Sequence, residues 1–527
     1  MLKQTNCPLS FGHCKLFWIV FMLFTFFIVF PVAYTLITAL FTGGSFVDNL
    51  LLLNKGTFIL LAKSCIIAFS IALFSTLFGT ILGLLLYKTN VKYRSWFKIV
   101  LLIPLFISPY ILAVAWKDFF FIFFNNTSFL SSTFGVILVL TTIFTPLSML
   151  IIGSALSNID TQLEETGFVI TKLHRVIYKI TLPLIKPAII SSFVLVFIFS
   201  ISEFSVPAFF GVKVFTTEIF TQFSAFYNHS LAILQSTLLI LICVLLLFSE
   251  RKYIADAPFI SVGRQGTKSK SYDLKNWGLL SVLFLFGWLF ITVVLPFIIL
   301  FVQSFKTGTS SFIQAFELLL PTFGNSIGLA FSGALIIVFV GFIAAYFSSR
   351  KAGKTFDWLL LIIFAIPSII FGISLIKFYN HPILDFIYSS YAIILIGYVG
   401  KFSFISAKLI ANAIKQIPLS LDEAAQIEGV TFSARLRKIL IPLIMPSIIV
   451  SFIISFIFCL GELGITIMLY PPGTEIMPIK VFTIMANAPQ SLTSSMTLIV
   501  FSITLLIITG FYFIVRPFLK KYNTAND

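Results

Sequence analysis

Charged residues are scarce in this sequence of 527 residues. Only 35 are Lys or Arg and 19 are Asp or Glu, whereas 59% are hydrophobic and the mean hydropathy is +1.08. Soluble domains carry charge on about a quarter of their residues. The composition therefore excludes a soluble multidomain protein and indicates a chain whose main solvent is a lipid bilayer.

Residues that bind metals or form disulfides are also few. The five cysteines are odd in number and show no Cys-x-x-Cys spacing, and the four histidines are scattered without ligand spacing. We therefore predict no disulfide framework, no metal site and no cofactor. These residues are Cys7, Cys14, Cys65, Cys243 and Cys459, and His13, His174, His229 and His381.

Apolar stretches fill most of the chain. A helix that crosses ~30 Å of hydrocarbon needs roughly 20 residues, and we count twelve stretches of sufficient length. An all-α polytopic membrane protein is predicted, with both termini on one side of the bilayer. The stretches lie near residues 16–40, 57–87, 97–117, 134–156, 187–210, 230–249, 277–303, 326–348, 357–377, 388–412, 446–469 and 493–516.

Basic residues indicate the orientation of these spans. Lys and Arg near the ends of spans stay in the cytoplasm. If the N-terminus is cytoplasmic, 27 of the 35 basic residues lie on that side, spread over seven segments. We therefore predict cytoplasmic termini. Topology accounts for the net charge of +16, so nucleic-acid binding is not expected.

The two halves of the chain repeat one another. The stretch "LHRVIYKITLPLIKPAIISSFVLVFIFSISEFSVP" from residue 173 matches "FSARLRKILIPLIMPSIIVSFIISFIFCLGELGIT" from residue 432 at a constant offset of 259. Between the halves, the polar stretch 250–276 is typical of a cytoplasmic linker. The sequence therefore predicts two parallel six-helix repeats, in domains 1–249 and 277–527, around a central pathway.

A short polar segment with helix signals lies between the fourth and fifth spans of each repeat. In the second repeat Ser420 and Glu423 have the spacing of a capping box, and Gly429 stands where a helix would end in a left-handed cap. In the first repeat Thr161 and Glu164 have the same spacing. One interpretation is a solvated connector, in which the caps offset the low stability of a short helix.

Small residues favour a second interpretation, because a face of alanine permits close docking on a partner. The stretch "DEAAQIEGVTFSARLRKILIP", with Ala424 and Ala425, resembles the cytoplasmic signature of the permease subunits of binding-protein-dependent ABC importers. That signature is Glu-Ala-Ala, three residues, Gly, and then a hydrophobic-Leu-Pro element. The first repeat, "EETGFVITKLHRVIYKITLP", has Glu165 and Thr166 in place of the Ala pair, and Gly167 lies three positions early.

The resemblance covers essentially the whole chain and has implications for function. In that family the segment is a coupling helix, which docks on a cytoplasmic ATPase and transmits its ATP-driven closure to the spans. No Walker A motif occurs in this sequence, so we expect a permease and not an enzyme, with two copies of the ATPase on separate polypeptides. The expected ATPase-coupling residues are Thr161, Glu164, Glu165, Thr166, Ser420, Glu423, Ala424, Ala425 and Gly429.

The resemblance also implies a solute-binding protein on the periplasmic or extracellular side, and a location in a bacterial cell (inner) membrane. The stretch 203–227 is most similar to ferric iron members of the family, so ferric iron is the expected cargo. Thiamine, aminoethylphosphonate and other small solutes are alternatives. An ion-coupled secondary transporter is an alternative of another class, but the doubled polar helices would have no purpose in it.

Two acidic residues within spans, Glu203 and Glu462, occupy equivalent positions in the two repeats. Charges inside a bilayer are costly and are a functional hypothesis by default. A pair related by a pseudo-twofold axis can face one central cavity, so we predict that both line the translocation pathway. The alternative is that each carboxylate satisfies nearby backbone or hydroxyl groups and positions its helix.

Overall fold

The computed structural model describes residues 11–41, 53–159, 161–171, 173–249, 272, 274, 277–349 and 354–524. Within these ranges the chain is helical apart from short connections, and a parallel bridge between Thr89 and Tyr272 is the only β feature. The predicted all-α class is therefore confirmed. Apart from Tyr272 and Leu274, the predicted linker 250–276 lies outside the described residues.

Long apolar helices dominate the first half, and a bent pair replaces the third span. We label the helices of this half α1 Lys15–Thr38, α2 Lys55–Lys88, α3 Arg94–Phe106, α4 Pro109–Phe124, α5 Thr133–Ser157, α6 Thr161–Ile170, α7 His174–Ser202, α8 Ser205–Phe210, α9 Phe215–Ser224 and α10 His229–Phe248. The pair α3 and α4 is bent by 93°.

The second half repeats this order. Its helices are α11 Gly278–Ser304, α12 Ser310–Ser349, α13 Thr355–Ala365, α14 Ser368–Tyr379, α15 Asp385–Tyr388, α16 Tyr391–Lys415, α17 Leu419–Ile427, α18 Phe432–Gly461, α19 Thr466–Leu469, α20 Met477–Ile484 and α21 Gln490–Phe511. The pair α13 and α14 is bent by 106°. Ten described helices are long and apolar enough to cross a membrane, and the bent pairs raise the number to twelve.

Fine details of the backbone follow the same repeat. A π-helical turn over Ile177–Thr181 in α7 has its counterpart at Leu436–Leu440 in α18, again 259 residues later. Gly79 of α2 and Gly341 of α12 also match. A Cβ atom on either glycine would lie 2.9 Å from the backbone nitrogen of the neighbouring helix, α5 or α16. Both glycines therefore permit close packing at equivalent helix crossings.

Prolines account for the bends in the third spans. Ser108, directly before Pro109, has an extended ψ of 133°, and Pro367 has a ψ of 140°. A proline cannot donate a backbone hydrogen bond, which interrupts the helical pattern at Pro109 and at Pro367, and Pro109 also disfavours a helical conformation in Ser108. Each third span therefore breaks into two helices near its middle.

The halves interlock through their first spans. Helix α1 packs against α14 of the second half, and α11 packs against α4 of the first half. The Tyr379 hydroxyl of α14 donates a hydrogen bond of 2.9 Å to the carbonyl of Phe27 in α1. Each bent pair is thus attached to the first span of the opposite half. A cavity lies between the two halves.

The fifth spans are shorter than the sequence predicts. We expected continuous helices to residues 210 and 469, but α7 ends at Ser202 and α18 ends at Gly461. Extended residues follow, and then the short helices α8 and α19. Apolar periodicity continues through both breaks, so hydropathy gives no sign of them. Glu203 and Glu462 occupy the breaks and lie at helix ends, not within helices.

Candidate functional site

The second predicted coupling helix, α17, begins differently from the prediction. Pro418, with φ −57° and ψ 131°, precedes its first residue Leu419, and no side chain caps this end. Ser420 lies inside the first turn, and its side chain and that of Glu423 are exposed. The predicted capping box of Ser420 and Glu423 is therefore wrong, because Pro418 takes the cap position two residues earlier.

The other end of α17 agrees with the prediction. Gly429 has a φ of +72°, in the left-handed region. The backbone N–H of Val430 donates to the Ala425 carbonyl at 3.0 Å, and that of Gly429 donates to the Gln426 carbonyl at 3.0 Å. The predicted left-handed cap is confirmed. An added Cβ at Gly429 would meet nothing within 4 Å, so the requirement for glycine is conformational and not steric.

The surface of α17 suits docking. Ala424 is exposed, Ala425 is half-buried, and Ile427 is 86% exposed. The opposite side of the helix is tied to α18, because Arg435 forms an ion pair of 2.8 Å with Asp422. The helix thus has one anchored side and one free side that carries apolar and small residues.

In the first predicted coupling helix, α6, the predicted capping box of Thr161 and Glu164 stays a prediction, because the residue before Thr161 lies outside the described residues. Glu164 is buried, and its carboxylate accepts hydrogen bonds from Lys88 at 2.7 Å and from Thr181 at 3.0 Å. Glu164 therefore faces its own half, and a direct contact with an ATPase is excluded in this conformation.

Two further predicted residues of α6, Glu165 and Thr166, point outward. Both are exposed, and Val169 is 87% exposed. Gly167 lies on the buried side, where an added Cβ would be 2.6 Å from Cδ1 of Ile180 in α7. Gly167 therefore lies where α6 approaches α7 closely.

A cavity of about 250 Å³ lies between the halves. Its lining is mostly apolar, and its polar groups come from the bends and breaks of both halves and from α16. These include Ser108, Glu203, Ser205, Ser368, Lys401 and Glu462. The Ser108 hydroxyl donates to the Gly461 carbonyl at 2.8 Å and so connects the bend of the first half to the break of the second.

Glu203 and Glu462 both line this cavity, and both accept hydrogen bonds from backbone N–H groups at the start of the short helix that follows. The Glu203 carboxylate accepts from the backbone N–H and the hydroxyl of Ser205. The Glu462 carboxylate accepts from the backbone N–H of Ile465 at 2.9 Å and of Thr466 at 3.2 Å. Both interpretations of these acids therefore have support in the geometry, and their role in transport stays a prediction.

Lys401 of α16 is a cavity residue that sequence reasoning did not single out. Its ammonium group donates to the carbonyls of Phe364 at 3.0 Å and Ile366 at 2.6 Å, at the bend between α13 and α14. It is 6% exposed. A lysine inside an apolar span was the available signal. It satisfies carbonyls that the broken helix leaves free and places one positive charge beside the two acids.

Asp118 of α4 was also missed, because the predicted third span ended one residue before it. It is 1% exposed and accepts a hydrogen bond from the Ser494 hydroxyl of α21, across the two halves. Its other oxygen, Oδ1, has no partner among the described residues. An acid beside a lysine in the apolar run "AWKDFFF" was the overlooked signal.

No group of three or more His, Cys, Asp or Glu residues that could hold a metal ion occurs among the described residues. The two cavity acids already accept hydrogen bonds from the backbone of their own breaks.

The sequence profile of one family, described as binding-protein-dependent transport system inner membrane component, matches residues 75–256 and 337–521. The two matches fall one in each half. Among curated relatives, the ferric transport system permease protein FbpB of Actinobacillus pleuropneumoniae is 23% identical over 444 residues, which are 77% of this chain and 64% of that protein.

Two further relatives add to this comparison. The Fe(3+)-transport system permease protein FbpB 2 of Haemophilus influenzae is 23% identical over 84% of this chain and 88% of its own length. The putative 2-aminoethylphosphonate transport system permease protein PhnV of Salmonella typhi is 25% identical over 34% of this chain and 70% of its own length. The relatives named for ferric iron thus cover both halves.

Proposed function

Because this chain belongs to the family of binding-protein-dependent transport system inner membrane components, we propose that it carries ferric iron inward from a solute-binding protein, driven by a separate ATPase. It is an ABC importer permease subunit that contains the family domain twice. The proposed cargo rests on the relatives named for ferric iron transport, which align with most of the chain.

The continuity of two helices carries this proposal. Helix α7 begins four residues after α6 ends, and its own end lies directly before Glu203. Helix α18 begins five residues after α17 ends, and its own end lies directly before Glu462. One helix in each half thus runs from a predicted coupling helix to a break at the cavity. A rigid helix transmits a displacement at one end to the other, whereas a flexible loop would absorb it.

The assembly that we propose has two ATPase copies, one for each coupling helix. The chain termini lie in the cytoplasm, as the distribution of basic residues favours. On the opposite side, the segments 211–229 and 470–492 form the docking surface for the binding protein. The division into domains 1–249 and 277–527 with a linker at 250–276 belongs to the same proposal.

A single experiment tests the ATPase dependence. The chain is reconstituted in liposomes with its ATPase, and uptake of radioactive iron from the loaded binding protein is measured with and without ATP. Ala424→Arg places a large charge on an exposed position of α17, so we expect loss of ATPase binding and of uptake. Gln416→Arg, at an exposed position just before the helix, is the matched control and should retain both.

Two outcomes would contradict the proposal. Uptake that follows an ion gradient and persists without ATP would indicate a secondary transporter. ATP-dependent uptake of 2-aminoethylphosphonate but not of iron would assign the cargo named for the Salmonella relative. That alternative has one structural argument, because the Lys401 ammonium in the cavity suits an anionic group.

A further inference from the structure

A buried ion pair holds α6 against its own half. Lys88 is the last residue of α2, and its ammonium lies 2.7 Å from Oε2 of Glu164, with side chains 0% and 3% exposed. The Thr181 hydroxyl, from α7, donates to Oε1 of Glu164 at 3.0 Å. One carboxylate therefore joins α6 to both α2 and α7.

The predicted linker adds a second attachment at the same place. The backbone N–H of Tyr272 donates to the Lys88 carbonyl at 2.7 Å, and that of Asn90 donates to the Tyr272 carbonyl at 3.1 Å. The Tyr272 hydroxyl lies 3.4 Å from the Thr181 hydroxyl and interacts with Glu164. Tyr272 is 5% exposed, so linker and coupling helix share one buried polar cluster.

The phenol of Tyr272 is suited to remain a donor in this cluster. Burial raises the pKa of Tyr272 well above its usual value, and its hydrogen bond to the Glu164 carboxylate raises it further. The hydroxyl therefore stays protonated throughout the physiological pH range.

The second half has no equivalent cluster among its described residues. Glu423, the repeat equivalent of Glu164, is exposed, and Leu440 replaces Thr181. Its helix is held instead by Asp422 and Arg435, whose side chains are 25% and 14% exposed. A partly solvated ion pair constrains its helix less than the buried pair of the first half does. In that half Glu164 also accepts from the Thr181 hydroxyl, and the Lys88 carbonyl accepts from the backbone of Tyr272.

We propose that Lys88, Glu164 and Tyr272 are positioning residues that clamp the first coupling helix to its own half and to the linker. This inference rests on the proposed function of α6 as an ATPase contact. The clamp faces away from the exposed residues Glu165 and Val169, so it acts on transmission and not on docking. The first half then moves as one rigid unit with its ATPase.

The experiment uses the complete reconstituted complex and measures two quantities, ATPase binding and the amount of cargo transported for each ATP hydrolysed. Tyr272→Phe removes only the hydroxyl, and Glu164→Gln removes the charge. We expect both variants to bind the ATPase normally and hydrolyse ATP, while transport per ATP falls about fivefold or more, the range of a typical coupling energy. Asp422→Asn in the second half is the control and should change the ratio less.

If Glu164→Gln alone folds poorly, two further variants keep the test decisive. One is Lys88→Gln, and the other combines Lys88→Gln with Glu164→Gln. The double variant removes both buried charges and should restore folding without restoring the transport ratio. An unchanged ratio in Tyr272→Phe and in the folded double variant would overturn the clamp. Failure of the unaltered chain to bind any ATPase would instead refute the proposed function.

Discussion

Gly429→Ala is the sharpest perturbation that the coupling helices offer. The backbone of Gly429 has a φ of +72°, and a Cβ there would meet no atom within 4 Å. The substitution therefore introduces conformational strain without a steric clash. A non-glycine residue in the left-handed region costs about 1–2 kcal/mol.

This strain has a predictable effect on ATPase affinity. In the free permease, the end of α17 can relieve the strain by unwinding, and docking must then restore the cap. The affinity for the ATPase should fall by a factor that corresponds to 1–2 kcal/mol, about 5–30-fold. Gly429→Asn should lose less, because asparagine tolerates the left-handed region better.

The structure provides a matched control. Gly308 has a φ of +82°, and a Cβ there would also meet nothing within 4 Å, but it lies between α11 and α12, away from both coupling helices. Gly308→Ala should cost similar stability and leave ATPase affinity unchanged. Binding of purified ATPase to permease in lipid nanodiscs measures both variants. Equal affinity for Gly429→Ala and the unaltered chain would refute the reasoning.

Three further predictions concern the cavity and the contact between the halves. The double variant Glu203→Gln with Glu462→Gln should insert into the membrane and bind the ATPase normally. Its uptake should fall by about tenfold or more, which corresponds to an increase of about 1.4 kcal/mol in the transport barrier. Unchanged uptake would exclude a pathway role. Lys401→Met removes two buried charge-assisted hydrogen bonds and should lower stability by about 3 kcal/mol, seen as a lower melting temperature in detergent. Ser494→Ala leaves Asp118 with one donor fewer and should cost about 1–3 kcal/mol in the same measurement.

The large-scale architecture could be predicted because it depends on composition and periodicity. Apolar length predicts spans, and the offset of 259 residues predicts a repeat that recurs even in the paired π-helical turns. Left-handed termination at Gly429 was predictable for a local reason, since few other residues adopt that conformation.

Features that depend on tertiary contacts could not be predicted. The spacing of Ser420 and Glu423 is compatible with a capping box, but Pro418 determines where the helix begins. Lys401 stabilises the bend between α13 and α14 from another helix, α16, so its partners are invisible in sequence. The burial of Glu164 likewise depends on Lys88, which lies 76 residues away along the chain.

The two proposed coupling helices are anchored at different positions, and this difference offers a reason why their motifs differ. Asp422 anchors α17, whereas Glu164, the equivalent of Glu423, anchors α6. Adjacent residues on a helix are separated by about 100°. If each helix is oriented by its anchor, the two present faces that are rotated by that angle relative to each other.

This rotation accounts for the lost alanines of the first repeat. The outward residues of α6 include Glu165, Thr166 and Val169, whereas those of α17 include Glu423, Ala424 and Ile427. When the repeat offset of 259 is added, the outward residues of α6 correspond to positions one residue further along the helix than the outward residues of α17. A docking face that has moved by one position does not need small residues where the second repeat has them. The two proposed ATPase contacts are therefore expected to differ in geometry, and cysteine cross-linking from the equivalent exposed positions Val169 and Glu428 should reach different residues of the two ATPase copies.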